Sequence, residues 1–190
     1  MSRDGMADNI ARVRALTYAG TAEYTLGTAT FWDDDQIEQV LDRHRVDVVR
    51  EELTGPADYI GGGSVQYVRL HSAHRYIEGA SSGSAIFRIE DGTGTDRGTA
   101  TYTADYLTGT FDFSSDVGGT VLYMTGRAYD VHGAAAELLE SWASREAREF
   151  DFTADGQSFH RSQKVKSLQE QAGVMRRRAW IKVKGLRTGA

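Results

Sequence analysis

The 190-residue chain has no cysteine and a single proline, Pro56. Without thiols there is no disulfide framework and no cysteine-ligated zinc, and a reducing assembly compartment is expected. No stretch approaches the roughly 18 apolar residues that a membrane-spanning helix needs. The N-terminal residues Met1 to Met6 have no apolar run behind their charges, so no secretory leader is expected.

Signatures of catalysis are lacking as well. Gly61-Gly62-Gly63 is not followed by Lys-Ser/Thr, as a phosphate cradle requires, and Gly92-Thr93-Gly94 is equally weak. No Gly-x-Ser-x-Gly elbow opens a helix. Asp33-Asp34-Asp35 lacks the glycine and trailing glutamate of a calcium loop. Those acids suit the first turn of a helix, where they face the positive end of its dipole. His71 and His74 have no nearby carboxylate to complete a metal trio, and His44 falls on the apolar side of a helical pattern. No enzymatic activity, cofactor or metal is therefore expected.

Positive charge is concentrated at the end of the chain. Residues 160–190 hold nine Lys or Arg against one acid, Glu170, a balance of +8. Since the whole chain carries −5, residues 1–159 carry −13. Such asymmetry suits an interaction tail, or a solvated helix end whose cations match the dipole.

What is present reads as helix, helix, β-rich block, helix, helix. Ile10, Val13 and Leu16 recur at near-helical spacing within residues 8–18. Asp33 is a candidate N-cap with Gln36 three residues on, as in a capping box. Ile37, Val40, Leu41, His44, Val48 and Leu53 extend that helix pattern towards Thr54-Gly55-Pro56. Residues 55–128 hold 13 of the 21 glycines and short runs of β-formers: 65–70, 85–89, 99–103, 109–113 and 120–124. Turns are expected at Asp91-Gly92 and at 116–119. Helical pattern returns at Tyr129-Asp130, with Val131, Ala134, Ala135, Leu138, Trp142 and Phe150 on one face. After a turn at Asp155-Gly156, and with Ser162 as a candidate cap, Val165, Leu168, Ala172, Met175 and Ala179 form a narrow seam on a polar helix. The tail, Ile181-Lys182-Val183-Lys184-Gly185-Leu186-Arg187, alternates apolar and basic residues like a strand with no mate in its own chain.

The stretch from Tyr129-Asp130-Val131-His132-Gly133-Ala134-Ala135-Ala136 to Leu138-Leu139-Glu140-Ser141-Trp142-Ala143 resembles the Ala-rich helix of head–tail adaptor proteins of long-tailed bacteriophages. The sequence that follows, Phe150-Asp151-Phe152 through Asp155-Gly156-Gln157-Ser158-Phe159-His160-Arg161-Ser162-Gln163, is similar to the segment that leads into their basic last helix. Trp32-Asp33-Asp34-Asp35-Gln36-Ile37 resembles the start of an early helix in the same proteins. The resemblance covers roughly residues 8–54 and 129–180.

It implies an α+β fold: a four-helix adaptor-like bundle with an antiparallel β-rich insertion between the second and third long segments. The divisions would be 1–54 and 129–180 for the bundle, 55–128 for the insertion and 181–190 for an extended basic tail. It further implies a virion protein of the neck, assembled in the host cytoplasm as a homo-oligomeric ring of about twelve copies under the portal protein. The ring would extend the DNA channel and receive the tail or a stopper protein. Portal docking would then fall to Arg176, Arg177, Arg178, Trp180, Ile181, Lys182, Val183, Lys184, Leu186 and Arg187. Helix packing or subunit contact would fall to Ile37, Leu41, Leu138, Trp142, Leu168 and Met175. The alternative is a small DNA-binding regulator with a β-rich sensor insertion, which the basic run and Trp180 would serve. A carbohydrate-binding or hydrolytic module on the β block is a third reading, although its tyrosines are simply read as sheet and core residues.

Overall fold

The computed structural model describes residues 3–18, 24–26, 29–80, 86–148, 152–154, 157–159 and 161–180. Among these the fold is α+β, with four helices and antiparallel sheets. The chain forms two compact units, Met1–Val131 and His132–Ala190.

In the first unit, helix α1 (Ala7–Thr17) buries Ile10 and Val13 and stops at Tyr18, which takes a left-handed conformation. A hairpin of β1 (Tyr24–Leu26) and β2 (Ala29–Phe31) leads to α2 (Asp34–Arg43). Asp33 caps α2 as its sequence suggests, its carboxylate accepting from Gln36 N at 2.8 Å. A cap of this kind contributes about 1 kcal/mol. The reciprocal bond differs from the usual box: the Gln36 side chain accepts from Trp32 N, one residue further back.

The helix does not run on to Leu53. It ends at Arg43, and residues 45–52 form strand β3 (Arg45–Glu52). Val46, Val48 and Val49 lose χ1 freedom in a helix and fit a pleated surface better. A long partner strand is also available: β10 (Leu122–Tyr129) pairs antiparallel with β3 from Tyr129↔Arg45 to Tyr123↔Glu52. The register shifts between Met124 and Gly126, where Arg50 adopts a left-handed φ of 49° and donates its N–H to Thr125 Oγ1 at 3.1 Å. Val49 faces solvent on the side opposite buried Val48, and the one-residue bulge leaves Arg50 exposed beside it. The far side of β10 pairs with β7 (Arg88–Asp91), giving the order β3-β10-β7.

A second antiparallel sheet has the order β6-β9-β8, from Arg69–His71, Thr110–Phe113 and Tyr102–Asp105. Thr54 and His71 exchange two backbone hydrogen bonds, which tie the end of β3 to β6. Phe87, just before β7, stacks on Phe111 of β9 at 5.9 Å and meets Tyr106 edge-on at 5.1 Å. Tyr102 closes the cluster against Phe111 and Phe113. Phe87, Tyr102, Tyr106, Phe111 and Phe113 thus form one packed cluster, whereas Tyr59 and Tyr67 are exposed. The run 65–70 is split: β5 (Ser64–Gln66) pairs back on β4 (Asp58–Gly61) as a separate hairpin, and only the end of the run enters the sheet. The run 99–103 likewise begins as a short 3-10 turn, Thr99–Thr101, before β8.

In the second unit, α3 (Val131–Glu146) is followed by a hairpin of β11 (Phe152–Ala154) and β12 (Gln157–Phe159), then α4 (Arg161–Arg178). The turn expected at Asp155-Gly156, and Phe150, lie outside the described residues. Ser162 lies inside α4 and does not cap it. Leu139 and Ala143 of α3 pack on Leu168 and Ala172 of α4, flanked by Trp142, Val165 and Met175. The alanines let the helix backbones approach closely.

Candidate functional site

Two kinds of surface are candidates for function: the basic end of α4, and a cleft with a neighbouring hairpin in the first unit. At the end of α4, Arg176 turns back on α3, its Nε donating to Glu140 Oε1 at 2.7 Å within a two-pronged ion pair. The pairing raises the pKa of Arg176 and holds Glu140 below the usual carboxylate range, the hydrogen bond being the main cause in both. Arg177 and Arg178 are exposed, and Trp180 is half-buried. Ile181, Lys182, Val183, Lys184, Leu186 and Arg187 lie outside the described residues.

Trp142, Leu168 and Met175 come together in the α3–α4 seam, and Leu138, Ile37 and Leu41 are buried. The seam closes around a buried carboxylate. Glu146 accepts from Trp142 Nε1 at 3.1 Å and from Lys164 Nζ at 2.7 Å, while Lys164 sits 5.1 Å from the centre of the Trp142 ring. Lys164 is therefore a structural lysine, although the sequence shows it only as one of a run of basic residues.

The acidic and histidine residues singled out in the sequence have local partners. Asp33 caps α2 and Asp34 accepts from Arg14 at 2.6 Å. His71 Nδ1 lies 3.1 Å from Thr110 Oγ1. His44 is the residue after α2, where its N–H donates to Leu41 O. No group of three or more His, Asp or Glu side chains among the described residues is disposed to hold a metal ion.

The cleft was not signalled by any motif. It is open to solvent, has a volume of about 350 Å³, and is lined by Leu53, Leu70, Tyr67 and Val121 together with Glu52, Thr54 and the 117–120 turn. Its base depends on Gly55, where an added Cβ would come within 2.0 Å of Arg69 O. Its outer wall is held by Asp116, which accepts the N–H of both Tyr67 and Gly118 at 2.8 Å, and by the Val117 N–H, which donates to Tyr67 O. These backbone hydrogen bonds lower the pKa of Asp116, so the wall's acid is ionised and already engaged. Beside the cleft, the β4–β5 hairpin exposes Tyr59, Ile60 and Val65. A signal for it was present in the sequence: residues 59–66, Tyr-Ile-Gly-Gly-Gly-Ser-Val-Gln, carry no charge in a chain that is 26% charged.

No family model matches the chain. Comparison with curated proteins finds no match, and neither does comparison with solved structures. The functional conclusion accordingly rests on the residues themselves.

Proposed function

We propose that the chain is a head-completion adaptor of a long-tailed phage, forming a ring under the portal that extends the DNA channel and presents a platform to the tail or a stopper protein. The observation that carries it is the coincidence of sequence and architecture in the second unit. The adaptor-like stretches 129–143 and 150–163 correspond to a helix, a hairpin and the start of a last helix, and that helix ends in Arg176-Arg177-Arg178. In this reading α1 to α4 supply the four-helix adaptor bundle, residues 55–128 its β-rich insertion and residues 181–190 the docking tail. The −13 carried by residues 1–159 supports a conduit role, because an acidic wall repels phosphates and lets DNA slide without sticking. Identical head-to-tail contacts that close on themselves give the ring. An alternating apolar and basic tail suits strand addition to an acidic acceptor on the portal.

The test is a chain ended after Ala179, mixed with the portal protein and compared with the full-length chain. The full-length protein should co-sediment with the portal and the shortened one should not, with helical circular dichroism unchanged. Retained binding would overturn tail docking, and absence of the chain from the necks of mature particles by electron microscopy would overturn the adaptor reading. The exposed Arg177 and Arg178 favour a DNA-binding regulator as the second reading. A duplex gel shift whose affinity falls steeply with salt would support it instead.

A further inference from the structure

Another site lies on the solvent-facing side of the β3-β10-β7 sheet, opposite the face that buries Ile89, Leu122 and Met124. There Thr125 of β10 stands between two arginines. Arg88 of β7 is its direct partner in the register, and Arg50 of β3 donates its backbone N–H to Thr125 Oγ1 at 3.1 Å. One carboxylate organises both arginines. Arg50 Nη1 donates to Glu90 Oε1, and Arg88 Nε lies 3.2 Å from Glu90 Oε2. The Glu90 side chain is only 4% exposed, whereas those of Arg50 and Arg88 are 43% and 49% exposed. A buried carboxylate thus fixes two guanidiniums whose outer edges reach solvent. The Arg50 guanidinium is also held from a second side, 4.7 Å from the centre of the Tyr123 ring.

Donors and acceptors do not balance at this spot. Both Glu90 oxygens are taken, and Thr125 Oγ1 already accepts from Arg50. The other N–H groups of the two guanidiniums and the Thr125 hydroxyl proton meet no acceptor among the described residues. Two further acids belong to this face. Asp96, opposite Glu90, accepts from Gly98 N at 3.0 Å, and Glu52 lies beyond the Tyr123 ring in the register. They leave the face without excess charge, so a ligand is held by aimed donors rather than by a broad field. Position 50 is strained as well: its φ of 49° is one that L side chains rarely adopt and that glycine takes freely. Strain and bulges of this kind collect where a side chain must be aimed. Two guanidinium edges and a hydroxyl approach from three directions. They suit an acceptor with three terminal oxygens, which a phosphate monoester has and a carboxylate or phosphodiester lacks.

We infer that Arg50, Arg88 and Thr125 form a binding site for a terminal phosphoryl group, that of inorganic phosphate or a phosphate monoester, with Glu90 holding the two arginines in place. The site is independent of the adaptor reading, and neither falls with the other.

The test titrates the isotope-labelled full-length chain with inorganic phosphate near neutrality, in a chloride buffer, and follows the amide resonances. Amides at residues 50, 88 and 125 should shift together and saturate with a dissociation constant of about 1 mM or below. Glycerol phosphate serves as the monoester: tighter binding than inorganic phosphate assigns the site to an ester, and weaker binding to the free ion. Acetate and dimethyl phosphate should each bind about tenfold more weakly or worse. Arg50→Gly, which relieves the positive φ, and Arg88→Gln should each weaken phosphate binding about tenfold or more, with near-UV circular dichroism unchanged. Arg69→Gln, which removes the partner of Asp112 on the other sheet, should leave binding as it was. Should one of the two site variants fail to fold, the other decides. Arg88→Lys then adds a milder change, since it keeps the charge, loses the fork and should weaken binding several-fold. Three results overturn the site: shifts that never saturate or that scatter over the surface, acetate binding as well as phosphate, or full phosphate binding in a folded Arg50→Gly or Arg88→Gln chain.

Discussion

Replacing Arg3 with alanine should destabilise the Met1–Val131 unit, and the structure sets the size of the effect. The Arg3 guanidinium donates to both oxygens of Asp42, at 3.0 and 2.7 Å, and to Tyr129 OH at 3.1 Å. Its Nε lies 3.1 Å from Glu38 and 3.4 Å from Glu78, and its backbone N–H donates to Glu38 at 2.8 Å. The bond to Asp42 is the main reason its pKa stands above the ordinary arginine value, with burial opposing. Two residues on, Gly5 crosses Gly79 at a φ of +88°, so closely that a Cβ would meet Gly79 O at 2.4 Å. The N-terminal segment is thus clasped to α2 and β10 through Arg3, and to the stretch after Ile77 through Gly5. Breaking a fully buried ion pair costs about 3–5 kcal/mol, and breaking an exposed one at most about 1. The Arg3 side chain is 36% exposed, while Glu78 is 5% exposed and keeps Tyr129 OH at 2.7 Å and Arg127 at 3.6 Å. An intermediate cost of about 2 kcal/mol follows, smaller in high salt. Urea unfolding followed by near-UV circular dichroism measures it. A cycle with Asp42→Ala isolates the bidentate pair, and Glu78→Gln in the Arg3→Ala background should return part of the loss. A change within about 0.5 kcal/mol, as for an ordinary surface substitution, would refute the clasp.

Four further outcomes follow from the packing and the ionisable groups. Leu139→Ala should cost about 3 kcal/mol by opening a cavity at the α3–α4 seam, read as an earlier loss of helical signal on heating. Gly55→Ala should cost about 2 kcal/mol or more, seen as a lower melting temperature, because its methyl meets the Arg69 carbonyl and the chain must shift. Burial raises the pKa of Tyr102 and, aided by the Glu78 hydrogen bond, that of Tyr129. Their contribution is whole below the unfolded tyrosine value of about 10 and falls above it, as the unfolded chain releases protons that the native one keeps. A spectrophotometric titration should show these two tyrosines ionising last, and Tyr129→Phe should remove one of them. Because Arg176 lowers the pKa of Glu140, that pair's support is present above the ordinary carboxylate range and lost as pH falls through it. Glu140→Gln should therefore lower the unfolding free energy read from urea titration near neutrality, by at most about 1 kcal/mol given the exposure of both partners, and should have no effect in acid.

Much of the local structure was legible from the residues alone. Period and capping chemistry marked α1, the start of α2 and the α4 seam, because a helix is set by contacts three and four residues apart. Glycine and β-former content marked 55–128 as strands and turns for a similarly short-range reason. The adaptor-like stretches were also visible, and the functional proposal rests on them. Other features were decided between distant segments. Val48 and Leu53 fitted a helical spacing as well as a strand, and the long partner β10, some 75 residues away, drew residues 45–52 into a sheet. The aromatic cluster, the Arg3 clasp and the pairing of Lys164 with the buried Glu146 join residues whose neighbourhood no local pattern encodes. The cleft belongs with them, since its walls come from three separate stretches. Short-range periodicity records which face of an element is apolar, while which surface meets that face depends on pairing and register across the whole chain.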